Sequence, residues 1–297
     1  MSQTPPRLFD PAIRCAKRAR ASAAGDVAAH FLVEAIADEL AERLAFVKRD
    51  FADIALMGPI AACADRLGLA GDARVTRLIL SEAERRSDDD IWVSEEGLIE
   101  ALSDGGDIAT ARARFDLIVA APVFDAIDDL PGALAQARLA TKPDGLFLGA
   151  MFAGGSLPTL RRLMQAADGG RGVARLHPQV DLRALGDLLA RAGFAMPVVD
   201  EQPLDLSYAD PMKALADLRA LGHGNALAEQ HRLPGKDALA RIAEAWGALA
   251  DARGRVTEHL VIAHMSGWAP SPDQPKPARR GSGTASLASA LKDKSGN

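Results

Sequence analysis

Phe115-Asp-Leu-Ile-Val-Ala-Ala121 and Leu146-Phe-Leu-Gly-Ala-Met-Phe152, with residues 130–140 between them, decide the fold. Both runs are apolar almost throughout, as strands buried on both faces are. The stretch 130–140 reads as a helix, and Lys142-Pro-Asp-Gly145 puts Pro and Gly where a tight turn needs them. Strand, helix, turn and strand in that order make a parallel crossover unit.

The same alternation extends outward. Upstream, Leu32, Ile36, Leu40, Leu44 and Val47 recur near every fourth residue, so 28–49 reads as an amphipathic helix. Asp53-Ile-Ala-Leu-Met57, followed by Gly58-Pro59, reads as a buried strand ending in a turn. A helical piece over 61–67 precedes two more strand candidates, Val75-Thr-Arg-Leu-Ile-Leu80 and the weaker Ile91-Trp-Val93. Downstream, 182–192 is a helix closed by Gly193, and Pro197-Val-Val-Asp200 is a strand. Asp210-Pro211 caps and starts a helix whose Met212, Leu215, Leu218 and Leu221 run up to Gly222. A further helix covers 237–250, and Thr257-Glu-His-Leu-Val-Ile-Ala-His264 is the last strand. Strands alternating with helices predict an α/β protein with a doubly wound, mostly parallel sheet.

The bulk numbers agree. The 297 residues are 48% hydrophobic but only 4% aromatic, so the core must be built from Leu, Val, Ile and Ala. Arg outnumbers Lys 27 to 8, a bias suited to a GC-rich coding sequence. The net charge of −5 with no basic domain argues against nucleic acid as the partner. Cys15 and Cys63 are far apart and suggest neither disulfide nor zinc site, which suits a cytoplasmic setting. No apolar run approaches the roughly 18 residues of a membrane span. Residues 1–27 form a basic lead-in, with Arg7, Arg14, Lys17, Arg18 and Arg20 against Asp10; a helix belonging to the domain and a transit peptide both fit. The domain proper runs over 28–268. Residues 269–297, with Pro270, Pro272, Pro275 and Pro277 and then Gly and Ser, read as a disordered or loosely docked tail.

Several short pieces narrow the class. They are Leu8-Phe-Asp10, Leu130-Pro-Gly-Ala-Leu134, Lys142-Pro-Asp-Gly-Leu-Phe-Leu148, Asp181-Leu-Arg183, Ala190-Arg-Ala-Gly-Phe194, Pro197-Val-Val-Asp200, Tyr208-Ala-Asp-Pro211, Asp217-Leu-Arg219 and Gly267-Trp-Ala-Pro270. In this order they resemble the branch of class I S-adenosylmethionine-dependent methyltransferases that holds the biotin-synthesis malonyl-carrier enzymes and the respiratory complex I assembly factors. The Tyr-x-Asp-Pro and Gly-Trp-Ala-Pro pieces make the second group the nearer likeness. The resemblance covers roughly 8–290. It implies a Rossmann-like sheet of seven strands with an antiparallel last strand, and a helical cap inserted at about 208–252.

It also implies where a methyl donor would sit. A Gly-rich turn after strand one lets the backbone approach the donor, since a Cβ would clash. The family's Asp-x-Gly-x-Gly-x-Gly is Leu56-Met-Gly-Pro-Ile-Ala-Ala62 here, so Gly58 alone matches. A β-branched Ile60 suits poorly a position needing positive φ. The strand-two acid, which accepts the ribose hydroxyls in the family, corresponds to Ile79; Glu82 or Glu84 follows as a substitute, or as an ordinary acid at a helix N-terminus. Glu95 stands near the family's adenine-side acid and equally reads as a surface carboxylate. The family's Ser-Leu-x-x-His-Trp after strand four is Ala121-Pro-Val-Phe-Asp125 here. Gly58, Glu82 and Glu95 are thus the cofactor-side candidates for S-adenosylmethionine. Tyr208, Asp210, Arg219 and Asn225 are candidates for the substrate or partner side, and Tyr208 reads equally as packing.

Other chemistries find little support. His259 and His264 face opposite sides of the last strand, while His223 and His231 fall in a Gly-containing connection and read as surface residues. There is no Gly-x-Ser-x-Gly or P-loop, and Gly154-Gly-Ser156 and Gly169-Gly-Arg-Gly172 read as loop glycines. Cys63 reads as buried and inert. The resemblance implies S-adenosylmethionine-dependent methyl transfer to a protein or a carrier-bound substrate, with donor positioning supplying most of the catalysis. The motif departures set a second reading beside it, a cofactor-free protein of this fold that binds a partner such as a complex I subunit. A third, arginine hydroxylation, follows from the resemblance alone, without an iron-binding triad in the sequence.

Overall fold

The computed structural model describes residues 7–24, 30–69, 73–79, 90–92, 112–229 and 235–274. In chain order these form α1 (Pro11–Ala24), α2 (His30–Phe46), β1 (Asp53–Met57), β2 (Arg74–Ile79), β3 (Ile91–Trp92), β4 (Phe115–Ala120), α3 (Leu130–Ala140) and β5 (Thr141–Phe152). Then follow α4 (Pro158–Ala167), α5 (Leu182–Arg191), β6 (Ala195–Tyr208), α6 (Pro211–Ala220), α7 (Lys236–Leu249) and β7 (Val256–Trp268).

The strands form a seven-stranded sheet in the order β3-β2-β1-β4-β5-β7-β6. β1 pairs parallel with β2 and β4, and β4 with β5, while β7 runs antiparallel to β5 and β6. The sheet is doubly wound, as the sequence predicts, with its switch point between β1 and β4. In such sheets the ligand crevice lies at the carboxyl ends of the strands flanking that point.

Alternate strand residues feed two apolar layers. Ile54, Leu56, Leu117 and Val119 pack with Leu32, Ile36, Leu40 and Leu44 of α2. Ala55, Phe115, Ile118 and Phe147 pack with Leu134 and Ala137 of α3 and Leu185 and Leu189 of α5. This is why the β1, β4 and β5 runs lack the polar alternation of a half-exposed strand.

At the amino ends, the Lys142-Pro-Asp-Gly145 turn bulges out of β5: Thr141 pairs with Phe115, and the next pair is Leu146 with Leu117. Lys142 reaches from it to the carboxylates of Asp53 and Asp116, and the Asp53 N–H donates to Asp116 Oδ1 at 2.7 Å. Asp116 thus pins strand starts together, at the edge of the sheet opposite the crevice.

Three elements differ from expectation. The helical piece after β1 is a short 3-10 turn over Pro59–Cys63. β6 runs on to Tyr208, well past the predicted strand, with Pro203 in its middle. α4 was not anticipated. Its flanking residue Leu157 has no capping side chain, and the first N–H groups, Thr159 and Leu160, are instead accepted by Glu258 of β7 at 3.1 and 2.7 Å. A cap supplied from a distant strand leaves no local signal. His231 and residues 275–297 lie outside the described residues. Among the described residues no helix is long and apolar enough to cross a membrane.

Candidate functional site: a closed crevice and a buried His-Asp pair

Gly58 ends β1 with φ 85° and ψ −161°, and Pro59 starts the 3-10 turn after it. The loop leaving β4 lies directly on this glycine. A Cβ there would fall 2.2 Å from Val123 Cγ1 and 3.1 Å from the Ala121 carbonyl oxygen. The Ile60 N–H donates to the Ala121 carbonyl at 3.0 Å, and the Ala121 N–H donates to that of Met57 at 3.1 Å. Leu56 and Ile60 are fully buried in the α2 layer. The β1 turn and the β4 loop therefore satisfy one another across the switch point.

α1 locks this arrangement from outside. Its Arg14 and Arg18 are buried, and their guanidinium groups donate to the carbonyls of Ala126 and Pro122, each at 3.1 Å. Just before α1, the Leu8 and Phe9 N–H groups donate to Asp128 Oδ1 at 2.8 and 3.0 Å. Phe9 also bridges to Leu227, beyond α6.

Beside the crevice, at the ends of β4 and β5, lies a cavity of about 50 Å³ bounded by Asp125, Phe152, Arg175, His177, His223 and Asn225. Asp125 and His223, both buried, meet at 2.7 Å. His223 Nδ1 faces the Leu221 carbonyl at 3.1 Å, so both ring nitrogens face oxygen atoms of the fold. Burial works to raise the Asp125 pKa, but His223 beside it, with His177 and Arg18 further off, holds it down to about 2. Phe152 stands edge-on to the His223 ring at 5.0 Å. His177 Nε2 accepts the Ala226 N–H at 2.9 Å, which leaves its proton on Nδ1, and burial pushes its pKa down to about 4. Both nitrogens of His223 are thus engaged by groups of the fold itself. The cavity holds a water or the tip of one side chain and is far smaller than a cofactor pocket, which takes roughly 300–1,000 Å³.

The sequence candidates separate. Gly58 is in the crevice and Asn225 lines the cavity, while Arg219 is exposed on the last turn of α6. Asp210 is exposed and caps α6, accepting the Met212 N–H at 2.8 Å. Tyr208 is buried in a separate cluster with Leu163, Trp246 and Val256, and its hydroxyl donates to Asp217 Oδ2 at 2.9 Å. Burial, together with that carboxylate, pushes the phenol pKa up. Glu82, Glu84 and Glu95 lie outside the described residues. His223, expected at the surface, has a buried side chain that meets Asp125. Sequence reasoning missed Asp125, His177 and His223 as a group, since they come from three distant loops with no spacing to link them. Among the described residues, no three His, Cys, Asp or Glu side chains gather as metal ligands do.

A family model described as a methyltransferase domain matches residues 9–197. Over 182 residues the chain is 34% identical to the zebrafish (Danio rerio) protein named arginine-hydroxylase NDUFAF5, mitochondrial, covering 60% of this chain and 57% of that one. It is 31% identical over 194 residues to the malonyl-[acyl-carrier protein] O-methyltransferase of Xylella fastidiosa, covering 65% of this chain and 63% of that one. In both cases the match spans less than two thirds of the relative. The YcgJ protein of Bacillus subtilis shares the fold, with a TM-score of 0.50 at 11% identity, covering 78% of this chain and 98% of that one.

Proposed function

The chain belongs to the methyltransferase-domain family, and from that premise we propose that it keeps the family's fold as a binding or assembly factor that works without the methyl donor. The observation that carries this reading is the β4 loop seated on Gly58. The family's donor needs open backbone at the β1 turn and a carboxylate before it. Here Val123 fills the approach, Ala121 takes the Ile60 N–H, and Leu56 stands buried at the acid's position. On this reading the described residues of the β1 turn do not fit S-adenosylmethionine in the family's pose.

On this reading the protein acts through its surface, on a protein partner or a carrier-bound group. The resemblance to the complex I assembly-factor branch makes a respiratory subunit the first partner to test. The wide separation of Cys15 and Cys63 along the chain suits a reducing, cytoplasmic compartment. The competing reading is methyl transfer, which family membership favours. Calorimetric titration of the purified chain with S-adenosylmethionine and S-adenosylhomocysteine separates the two. We expect neither heat nor a thermal shift up to millimolar ligand, and saturable micromolar binding would sink the proposal.

A further inference from the structure

α1 carries four cations and no acid between Pro11 and Ala24. Arg14 and Arg18 turn inward to the crevice. Lys17 meets the segment just past α6, whose last turn carries Arg219, and Arg20 lies one turn on along α1. The approach is close: a Cβ on Gly222 would lie 3.3 Å from Arg18 Cα, and one on Gly224 would lie 3.1 Å from Lys17 Cδ. The half-buried Lys17 ammonium donates to the Asn225 carbonyl, and Arg20 Nε donates to the Ala16 carbonyl at 3.0 Å. Among the described residues no carboxylate pairs with Lys17, Arg20 or Arg219, and Asp217, the acid of α6, is buried on Tyr208. Burial, then Arg20 and Arg219, push the Lys17 pKa down. A chain of net charge −5 thus holds three cations together against their mutual repulsion.

We propose that the face formed by α1 and the end of α6, with Lys17, Arg20 and Arg219, docks a carboxylate-rich surface of a protein partner. The inference rests on the reading of the chain as a binding factor and names the chemistry of what it binds. Among the described residues, none of the three cations stands over an aromatic ring of the kind on which a base would stack. Asn225 joins the patch to the Asp125-His223 cavity, so a docked surface sits at the cavity mouth. The competing explanation is that these cations merely complement the carboxyl end of α6. The two accounts differ in sign: a capping cation stabilises the free protein, whereas a crowded docking cation destabilises it.

The test uses the full chain and a fluorescent Glu- and Asp-rich peptide as probe. We expect salt-sensitive binding that weakens about tenfold or more in Lys17→Gln/Arg20→Gln/Arg219→Gln and is unchanged in Lys48→Gln, an exposed cation elsewhere. We also expect Arg219→Gln alone to raise the thermal midpoint while weakening the peptide. Equal peptide binding by the triple variant overturns the proposal, and so does a lowered midpoint. A DNA duplex or anionic vesicles bound more tightly than the peptide, and released by the triple variant, overturn it in favour of another partner class. Binding of S-adenosylmethionine would unseat the donor-free reading yet leave this comparison intact.

Discussion

At Gly58 the backbone has φ 85°, and an added methyl would lie 2.2 Å from Val123 Cγ1. Gly58→Ala therefore meets two penalties, the left-handed backbone and the clash, together about 2–4 kcal/mol by urea denaturation. Val123→Ala relieves only the clash, so in the double variant the costs should fall short of their sum by about 1 kcal/mol or more. Strict additivity would mean that the β4 loop does not rest on the glycine. The residue scale was legible in part. Leu56, Ile60 and Ala62 could be read as departures from the family's turn, because a motif states which side chains it needs. That Val123 rests on this turn was not legible, since it arrives from the next strand over. The Asp125-His223 pair was hidden for the same reason: burial makes it a pair, and burial is a property of three dimensions.

Among elements, β3 and β6 stand at the two edges of the sheet, and β6 is the long one. Pro203 lies opposite Val261, whose N–H donates to Ser156 Oγ and whose carbonyl accepts the Ala153 N–H, both away from β6. The backbone of residue 203 accordingly faces outward, where a proline leaves the edge one donor short and discourages another strand from adding. Pro203→Val should change stability little and should produce concentration-dependent self-association, read by light scattering; a monomer at all concentrations would refute this role. The same proline explains why the sequence showed only the start of β6, for a mid-run proline argues against a strand unless the strand is an edge. β1, β4, β5, α2 and α3 were legible because each carries its own periodicity. α4 was not, because Glu258 caps it from β7.

Across the whole molecule, acid should loosen the fold through two buried imidazoles. Burial pushes the pKa of His177 and of His264 down to about 4, from an ordinary value of 6.5. As pH falls below about 6.5 the unfolded chain takes up protons that the folded chain refuses, so stability drops until about pH 4. Asp125 adds a second loss, between the ordinary carboxylate range and about pH 2. Glu258, whose pKa burial raises, works in the opposite direction, so the comparison must be made against a variant. His264→Gln should remove about one proton from the slope between pH 6.5 and 4, roughly 1.4 kcal/mol per pH unit, in denaturation midpoints taken across that range. An unchanged slope would mean that His264 does not resist protonation. The closed crevice carries a different consequence, in evolutionary time. An acid restored at Leu56 would bury a charge beside Ile36 and Leu40, and a glycine restored at Ile60 would hollow the same layer at about 2–5 kcal/mol. Neither step moves Val123. On the donor-free reading, a lineage with this layout would have no single-substitution path back to an open donor site, and each partial reversal would be selected against on stability before any function returned. The fold behaves as a ratchet, and descendants are free to elaborate the outer surface far more readily than the crevice.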